Sequence, residues 1–435
     1  MSSSDLDNSL SPETAQLRSA VCTHCGCVCD DLTATIEDQR ITRIENACSL
    51  SEEWFLAQTA TPDLRFEIEG QSVSPEEAIE KTADILGQAQ SPLIHGLARS
   101  STPGQRAAVE LADRIGAIID TSASMCHAPS ILAFQRVGES TCTLGEVRNR
   151  SDLVIFWGSN PVESHPRHLE RYSGDVAGLF VPHGRSDRTL VVVDTQETET
   201  SDAADLFLKI EPESAFDVLW TLRSLLAGKT VTDARVGGIA IEQLQALAEK
   251  MRGCQFGAAF FGLGLARGPL GHQNVEALLQ LVTDANDHTR FIARRMRNYG
   301  DVAGADSVLC WQTGYPFSVN LSRGYPRYNP GEFSAFDLLA RGDVDAAFLI
   351  GSDGLNKIPD AALDFLRQIP TIYLAPADTE PPFVPTVRLT SGTYGIHDYG
   401  TAYRMDEVPI PLKPIFANEV PMDETLIQSV LEILP

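Results

Sequence analysis

The chain has 435 residues, of which 43% are apolar and 21% charged, and this composition indicates a soluble globular protein of about two to four domains. Its 34 basic and 59 acidic residues give a net charge of -25, which disfavours nucleic acid and anionic membrane surfaces as partners. Neither a signal peptide nor an apolar run of about 20 residues is present, so we expect a cytoplasmic location, where the nine cysteines are thiols or metal ligands and not disulfides.

The order of the patterns along the chain predicts five parts. They are a disordered N-terminus over 1–20, a cysteine knuckle over 21–60, an α/β domain over 61–150 and 330–412, a second α/β domain over 151–329, and a C-terminal helix or tail over 413–435.

The cysteine knuckle is the densest motif, since CTHCGCVC places four thiols within eight residues. With Cys48, the residues Cys22, Cys25 and Cys29 give the spacing C-x2-C-x3-C-x18-C, which favours a [4Fe-4S] cluster over a zinc ion. Cys27 is a spare thiol, so the identity of the third ligand stays ambiguous. A hairpin over residues 32–45, turning at 38–39, would return Cys48 to the other thiols.

Downstream, helical and strand patterns alternate. Ser74-Pro75-Glu76-Glu77 predicts a capped helix to about residue 89, and a second helix is expected over 103–115. Continuous apolar strands are expected at 92–97, 117–123, 153–158, 189–194, 256–264, 347–352 and 371–376. Such strands separated by helices predict an α/β fold with doubly wound parallel sheets.

Several strands end in small or polar residues that suit a phosphate-bearing ligand, because ligands of such sheets bind beyond the carboxyl ends of the strands. These residues are Gly158, Ser159, Asn160 and Pro161, then Gly262 and Gly264, then Ser352 and Asp353, with Asp194 as a candidate for a ribose or guanine edge. The Pro- and Tyr-rich segment 315–333 is expected to line a site or an interface.

Longer motifs carry a family resemblance. The knuckle, TSASMCHAPS (121–130) and WGSNP (157–161) resemble the molybdopterin oxidoreductases. Within that family, GRSDRTLVVVD, the segment 311–333 and GTAYRMDEVPI (400–410) are similar to the B subunit of formylmethanofuran dehydrogenase, and the likeness runs from about residue 21 to 412.

The resemblance implies a molybdopterin-oxidoreductase fold that lacks the C-terminal β-barrel domain, and a catalytic subunit with a [4Fe-4S] cluster and a tungsten or molybdenum bis(molybdopterin guanine dinucleotide). Cys126 would be the protein ligand of that metal, His127 an acid or base, and Arg297 the group that holds formate, with Thr401 near the cofactor. The implied reaction interconverts CO2 and formate. Taken without the family, a Cys after a strand, such as Cys126, is most often a small buried hydrophobe, and Arg294, Arg295 and Arg297 are a solvated basic face or an anion site.

The pair His165 and His168 resembles a metal pair by spacing alone, and we expect these side chains to serve packing or cofactor phosphates. Cys142, Cys254 and Cys310 have no partner spacing and are expected to be core thiols.

Four segments depart from the methanogen-type pattern: Asn298-Tyr299-Gly300, His397-Asp398-Tyr399, Asp194-Thr195-Gln196 and Ser352-Asp353-Gly354-Leu355. They motivate an alternative, in which the chain is a structural subunit of a bacterial formyltransferase/hydrolase complex that releases formate from a methanofuran-type carrier. A third hypothesis is a zinc-knuckle nucleotide-binding protein. The implied partners are a β-barrel subunit that completes the pterin site, an amidohydrolase-type subunit and formyltransferase-type subunits.

Overall fold

The computed structural model describes residues 16–298, 300–352, 355–416 and 419–434. In these ranges the strands are β1 Gln16–Ala20, β2 Leu32–Glu37, β3 Arg40–Glu45, β4 Phe66–Ile68, β5 Gln71–Ser72, β6 Pro92–Gly96, β7 Ile118–Thr121, β8 Leu153–Trp157, β9 Thr189–Asp194, β10 Leu206–Lys209, β11 Arg235–Val236, β12 Ile239–Ala240, β13 Phe256–Phe261, β14 Arg290–Arg295, β15 Val319–Asn320, β16 Arg327–Tyr328, β17 Ala346–Ile350, β18 Thr371–Pro376, β19 Val387–Ser391, β20 Gly400–Tyr403 and β21 Pro409–Leu412.

The helices of the same ranges are α1 Glu52–Leu56, α2 Pro75–Gln88, α3 Thr102–Ile115, α4 Ala123–Cys126, α5 Ala128–Val137, α6 Leu144–Arg150, α7 Pro161–Ser164, α8 Glu199–Asp202, α9 Ala215–Leu226, α10 Ile241–Gly253, α11 Leu263–Ala266, α12 Gly271–Ala285, α13 Val302–Thr313, α14 Ala335–Arg341, α15 Asp360–Leu366 and α16 Asp423–Ile433. Within the described ranges, none of them combines the length and apolarity that a bilayer crossing requires.

The smaller of the two main sheets is parallel throughout its described strands, in the order β10-β9-β8-β13-β14. Its two faces carry different cores. Leu153, Ile155 and Trp157 of β8 pack toward α9, α10 and α12, whereas Val154 and Phe156 belong to a cluster that includes the knuckle cysteines. The knuckle therefore packs against one face of this sheet.

The larger sheet has the order β16-β15-β7-β6-β17-β18-β19-β4-β5 among the described strands. Its central strands β7 to β19 are parallel, and the antiparallel pairs β15–β16 and β4–β5 extend its two edges. The parallel strands are rich in Ile, Leu, Val and Phe and are buried from end to end, as a sheet covered on both faces requires.

Several expectations are confirmed. The hairpin over 32–45 forms as β2 and β3, the helix after Ser74 begins with the expected capping box, and each expected apolar run contains a strand. The fold is α/β with parallel sheets.

Other expectations need correction. Residues 16–20, expected to be disordered, form β1 because they pair in register with β2, while residues 1–15 lie outside the described residues. Residues 319–328, from the range expected for the second domain, extend the larger sheet because β15 pairs with β7. In the C-terminal segment, α16 packs Leu426, Ile427 and Val430 against the α2–α3 side of the larger sheet.

Candidate functional site

The knuckle is a tight loop closed by its own backbone. The N–H of Cys22 donates to the carbonyl of Cys29 at 2.8 Å, and the N–H of Val28 donates to the carbonyl of Cys25 at 3.1 Å. Val28 takes the left-handed conformation, with φ 39°, which turns the chain within the motif. Cys22, Cys25, Cys27 and Cys29 are all buried as a result.

Cys48 joins these thiols from the end of the hairpin. Its carbonyl accepts hydrogen bonds from the N–H groups of Ser51 and Glu52, so the chain is fixed at the start of α1. Burial, reinforced by the thiolates of Cys25, Cys29 and Cys48, raises the pKa of Cys22 well above its usual value. Cys22 therefore lies within reach of the charges of Cys25, Cys29 and Cys48.

Two arginines from beyond β8 flank the knuckle. Arg167 holds the carboxylate of Asp31 with two hydrogen bonds, of 2.7 and 2.8 Å, and Arg171 donates to Asp30 at 2.7 Å. Burial raises the pKa of the Cys29 thiol to about 11, although the charges of Arg171 and Arg167 oppose this rise. These cations would stabilise thiolates at the edge of the knuckle.

A cavity of about 450 Å³ opens where the knuckle meets the ends of the parallel strands. Its walls come from the knuckle, from the loops after β6, β7, β8 and β13, and from the residues after β14. The lining residues are His24, Cys25, Leu50, Arg99, Cys126, Gly158, Ser159, Asn160, Glu163, Ser164, Gly262, Leu263, Gly264, Met296 and Asn298. The structure thus joins the knuckle, the Cys126 loop and two of the glycine loops predicted from the sequence.

The two glycine loops pack directly on each other. A Cβ at Gly158, where φ is +55°, would lie 2.5 Å from the Leu265 nitrogen, and one at Gly264 would lie 2.8 Å from the Gly158 Cα. Side chains at these positions would force the loops apart. The glycines therefore keep backbone atoms, and not side chains, along this wall of the cavity.

Cys126 is half-buried on the cavity wall at the end of α4. Burial raises the pKa of its thiol to about 11, against the lowering effect of Arg297, Arg267 and Lys357. A strong electrophile such as a metal would be needed to hold this side chain as a thiolate near neutral pH.

His127 follows Cys126 along the chain, does not line the cavity and is hydrogen-bonded to an acid. Its Nε2 is 2.7 Å from Oδ2 of Asp306, whose other oxygen accepts the hydroxyl of Thr121 at 2.9 Å. Its Nδ1 has no partner among the described residues. Burial lowers the pKa of His127, so the ring is neutral near pH 7 and can accept a proton at Nδ1.

Arg297 is buried, with 3% of its surface exposed, and does not line the cavity itself. The flanking Met296 and Asn298 face the cavity, while the Arg297 guanidinium lies 3.0 Å from Oε1 of Glu407. Its carbonyl accepts a hydrogen bond from Nε2 of His165 at 2.7 Å. Arg294 and Arg295 are also buried, so the expectation of a solvated basic face is wrong.

Of the remaining cofactor candidates, Pro161, Asp194, Ser352 and Thr401 do not line this cavity. Asp194 ends β9 and accepts the N–H of Thr195, Ser352 donates to the carbonyl of His95, and the carbonyl of Thr401 accepts from Thr102. Pro161 is the first residue of α7, at the base of the Asn160 loop. Asp353 and Tyr299 lie outside the described residues.

Three other histidines serve packing. Besides His165, His168 bonds Ser173 and packs edge-on against Phe260, and His397 bonds the backbone of Thr393 and Thr59. Burial lowers the pKa of His168 to about 3. His168 and His397 are thus held by hydrogen bonds that need no ligand.

Asp306 and Glu407 were missed by sequence reasoning. Each acts on a residue far away along the chain, His127 in one case and the arginines of β14 in the other. No local pattern marks them, since Asp306 lies inside α13 and Glu407 in the turn between β20 and β21.

The donor atoms of the site fit the implied cofactors. Soft thiols suit iron and a dithiolene-bound metal, and a bare backbone wall suits a phosphate-bearing pterin. In the described part of the chain, no group of three or more His, Cys, Asp or Glu side chains is arranged to hold a single metal ion.

Comparisons with known proteins point in one direction. The chain is 41% identical over 406 residues to the B subunit of tungsten-containing formylmethanofuran dehydrogenase 2 of Methanocaldococcus jannaschii, covering 92% of this chain and 93% of that one. The same subunit of Methanococcus maripaludis is 36% identical over 405 residues, again covering 92% and 93%. The B subunit of the formyltransferase/hydrolase complex Fhc of Methylorubrum extorquens is 23% identical over 295 residues, covering 66% of this chain and 74% of that one. No family model matches the chain.

Solved structures agree on the fold. A chain of the Methylorubrum extorquens formyltransferase/hydrolase complex, determined with methylofuran, matches with a TM-score of 0.70 at 20% identity over 84% of this chain and 98% of that one. Acetylene hydratase from Pelobacter acetylenicus matches with a TM-score of 0.62 at 12% identity, over 95% of this chain and 68% of that one.

Proposed function

The chain belongs to the family of formylmethanofuran dehydrogenase B subunits, and from this premise we propose that it is the subunit of such a complex that interconverts formate and CO2. The observation that carries the proposal is the joining of the knuckle, the Cys126 loop and two backbone-walled glycine loops around one cavity. The 41% identity to the Methanocaldococcus jannaschii subunit, over 92% of this chain, supports the same activity.

The residues divide into three roles. Cys22, Cys25, Cys29 and Cys48 would hold a [4Fe-4S] cluster. Cys126 would bind a tungsten or molybdenum ion carried by a bis(molybdopterin guanine dinucleotide). Gly158, Ser159, Asn160, Gly262 and Gly264 line the cavity and would contact that cofactor, with Pro161, Asp194, Ser352, Asp353 and Thr401 as outer candidates.

When bound, the metal and pterin would supply the two-electron chemistry of formate oxidation. The protein would position the substrate and move the proton. Arg297 carries Nε and Nη1 atoms without partners among the described residues, so it can donate to a carboxylate. His127 has a free Nδ1 in that same part of the chain, and it would take the proton that formate loses on oxidation to CO2 and two electrons.

A second candidate is a structural subunit of a formyl-transferring complex without redox turnover. The observation that favours it is the match to the Methylorubrum extorquens complex, which covers 98% of that chain. The identity of 23% to that subunit, against 41% to the dehydrogenase subunit, places the first candidate ahead.

Substitution of the metal-binding candidate tests the proposal. The complex, purified without oxygen, should oxidise formate with an artificial electron acceptor, and Cys126→Ala should lower that rate by at least about a thousandfold, because the metal loses its protein ligand. Cys254→Ala is the matched control, since that thiol bonds the carbonyl of Met251 away from the cavity. The proposal would be contradicted if the wild-type complex did not oxidise formate, or if Cys126→Ala and Cys254→Ala oxidised it at equal rates.

A further inference from the structure

Glu407 occupies a backbone position whose conformation disfavours glutamate. It lies in the turn of the β20–β21 hairpin, where its N–H donates to the carbonyl of Arg404 at 2.7 Å. Its φ is 59°, in the left-handed region that glycine and asparagine adopt at low cost and that a glutamate does not. Glu69 and Glu213 also take left-handed φ angles but are exposed, so the contacts of the Glu407 side chain, and not its φ, distinguish this residue.

That side chain meets three buried arginines. One carboxylate oxygen lies 2.5 Å from Nη1 of Arg294, and the other lies 3.0 Å from Nη2 of Arg297 and 3.6 Å from Nη2 of Arg295. The three arginines expose 2%, 3% and 5% of their surface, respectively. Burial opposes ionisation of the carboxyl, yet the charges of Arg297, Arg294 and Arg295 hold the pKa of Glu407 below its usual value.

The other contacts of these arginines do not replace Glu407. Arg294 also donates to the carbonyls of Cys142 and Met405, and Arg295 lies 3.8 Å from Glu139. For the side chain of Arg297, Glu407 supplies the sole ion pair within the described residues. Without that carboxylate, three cations would share a buried space with mutual repulsion.

The backbone of Arg297 is fixed separately. His165 donates to its carbonyl, and Gly26 of the knuckle packs so closely that a Cβ there would lie 2.3 Å from that oxygen. With its backbone fixed, Arg297 can change only the direction of its side chain. The ion pair between its Nη2 and Glu407 sets that direction. This bond leaves Nε and Nη1 of Arg297 for another acceptor.

We propose that Glu407 is a positioning residue, which aims the guanidinium of Arg297 at the carboxylate of the substrate. The inference rests on the proposed function, in which Arg297 holds formate. Glu407 itself touches no substrate and acts through Arg297.

The test uses the whole complex, purified without oxygen, with Glu407→Gln and Glu407→Asp. Glu69→Gln is the matched control, because Glu69 also has a left-handed φ, of 51°, in the β4–β5 hairpin and is exposed. We expect Glu407→Gln to raise the KM for formate by about tenfold or more while kcat changes less than about threefold, because the arginine binds substrate and transition state alike. Glu407→Asp should recover part of the affinity, and Glu69→Gln should change neither constant.

A second readout does not depend on activity. The structure of the Glu407→Gln complex, determined by electron cryomicroscopy, should show the Arg297 guanidinium displaced and its backbone in place. An unchanged KM together with an unmoved guanidinium would overturn the inference, as would a fall in kcat at constant KM. If wild-type complex does not oxidise formate, the proposed function fails, and an unmoved Arg297 in the variant would then separately overturn the positioning role.

Discussion

Buried ionisable side chains concentrate where the knuckle, the smaller sheet and the cavity meet. Cys22, His127, His165, His168 and Arg297 are all buried there. Each is held by a specific partner or by a neighbouring charge, so the local structure depends on their protonation states. The sequence revealed the thiols through their spacing, because metal ligands on one loop are close along the chain.

It did not reveal Asp306 or Glu407, whose partners are 179 and 113 residues away. Ion pairs of this kind leave no periodic pattern, and they form only when the sheets and hairpins are assembled.

His168 offers a prediction on pH. Its pKa is lowered by burial to about 3 in the folded chain, against about 6.5 when unfolded, so its contribution to stability is full above pH 6.5 and is lost as the pH falls. Between pH 7 and pH 5 the loss is about 2 kcal/mol. His168→Gln should therefore show a stability curve flatter by about 2 kcal/mol over this range in urea unfolding.

The control is His183→Gln, because the His183 side chain is 75% exposed. If the free energy of unfolding changed with pH to the same extent in the wild type and in His168→Gln, the lowered pKa of His168 would be contradicted.

At the scale of elements, the site is made of strand ends. Strands β7, β8, β13 and β14 all deliver residues to one cavity, as the carboxyl edges of parallel strands do. Apolar runs predicted β7, β8 and β13, whereas β10, β14 and β19 were missed. Sequences such as RFIARR and VRLTS carry arginines into buried strands, where acids outside those strands, such as Glu67, Glu380 and Glu407, pair with them.

Because the two glycine loops are in contact, adding one methyl group at Gly158 should lower the stability of the chain. Gly158→Ala should destabilise the chain by about 2–4 kcal/mol, from left-handed strain and from collision with the backbone of Leu265. Gly268→Ala is the matched control, since φ is +88° and nothing lies within 4 Å, so the strain alone should cost about 1 kcal/mol. Urea unfolding measures both, and equal losses would show that the loops can separate freely.

The spare thiol of the knuckle gives a second prediction at this scale. The spacing C-x2-C-x3-C-x18-C assigns the cluster to Cys22, Cys25, Cys29 and Cys48, and it leaves Cys27, which is hydrogen-bonded to Cys25, as the spare thiol. We therefore expect Cys27→Ser to keep the iron content of the wild type and Cys29→Ser to lose most of it. Iron analysis of the two variants, purified side by side without oxygen, decides between them, and a greater loss in Cys27→Ser would reassign the third ligand.

At the scale of the whole molecule, exposed aromatic side chains stand out on a chain of net charge -25. Trp311 is 59% exposed, Tyr325 53% and Tyr399 68%, in or beside the Pro- and Tyr-rich segment and the β20–β21 hairpin. We expect another subunit of the complex to cover this surface.

Removing the aromatic groups tests that partner surface. The double variant Trp311→Ser with Tyr399→Ser should co-purify with less of the other subunits of the complex than the wild type does. Trp220→Ser is the control, because Trp220 is 44% exposed and stacks on Arg223 near α12, far along the chain from this surface. Undiminished co-purification of the double variant would place the partner elsewhere.

The proposed function requires a pterin-bound metal in the cavity beside the knuckle, next to an iron–sulfur cluster. Metal and cofactor analysis of the complex, purified without oxygen, tests it most directly. The proposed function predicts about four iron atoms per chain, together with tungsten or molybdenum and a releasable guanine-containing pterin. A complex without tungsten, molybdenum and pterin, whatever its iron content, would contradict it.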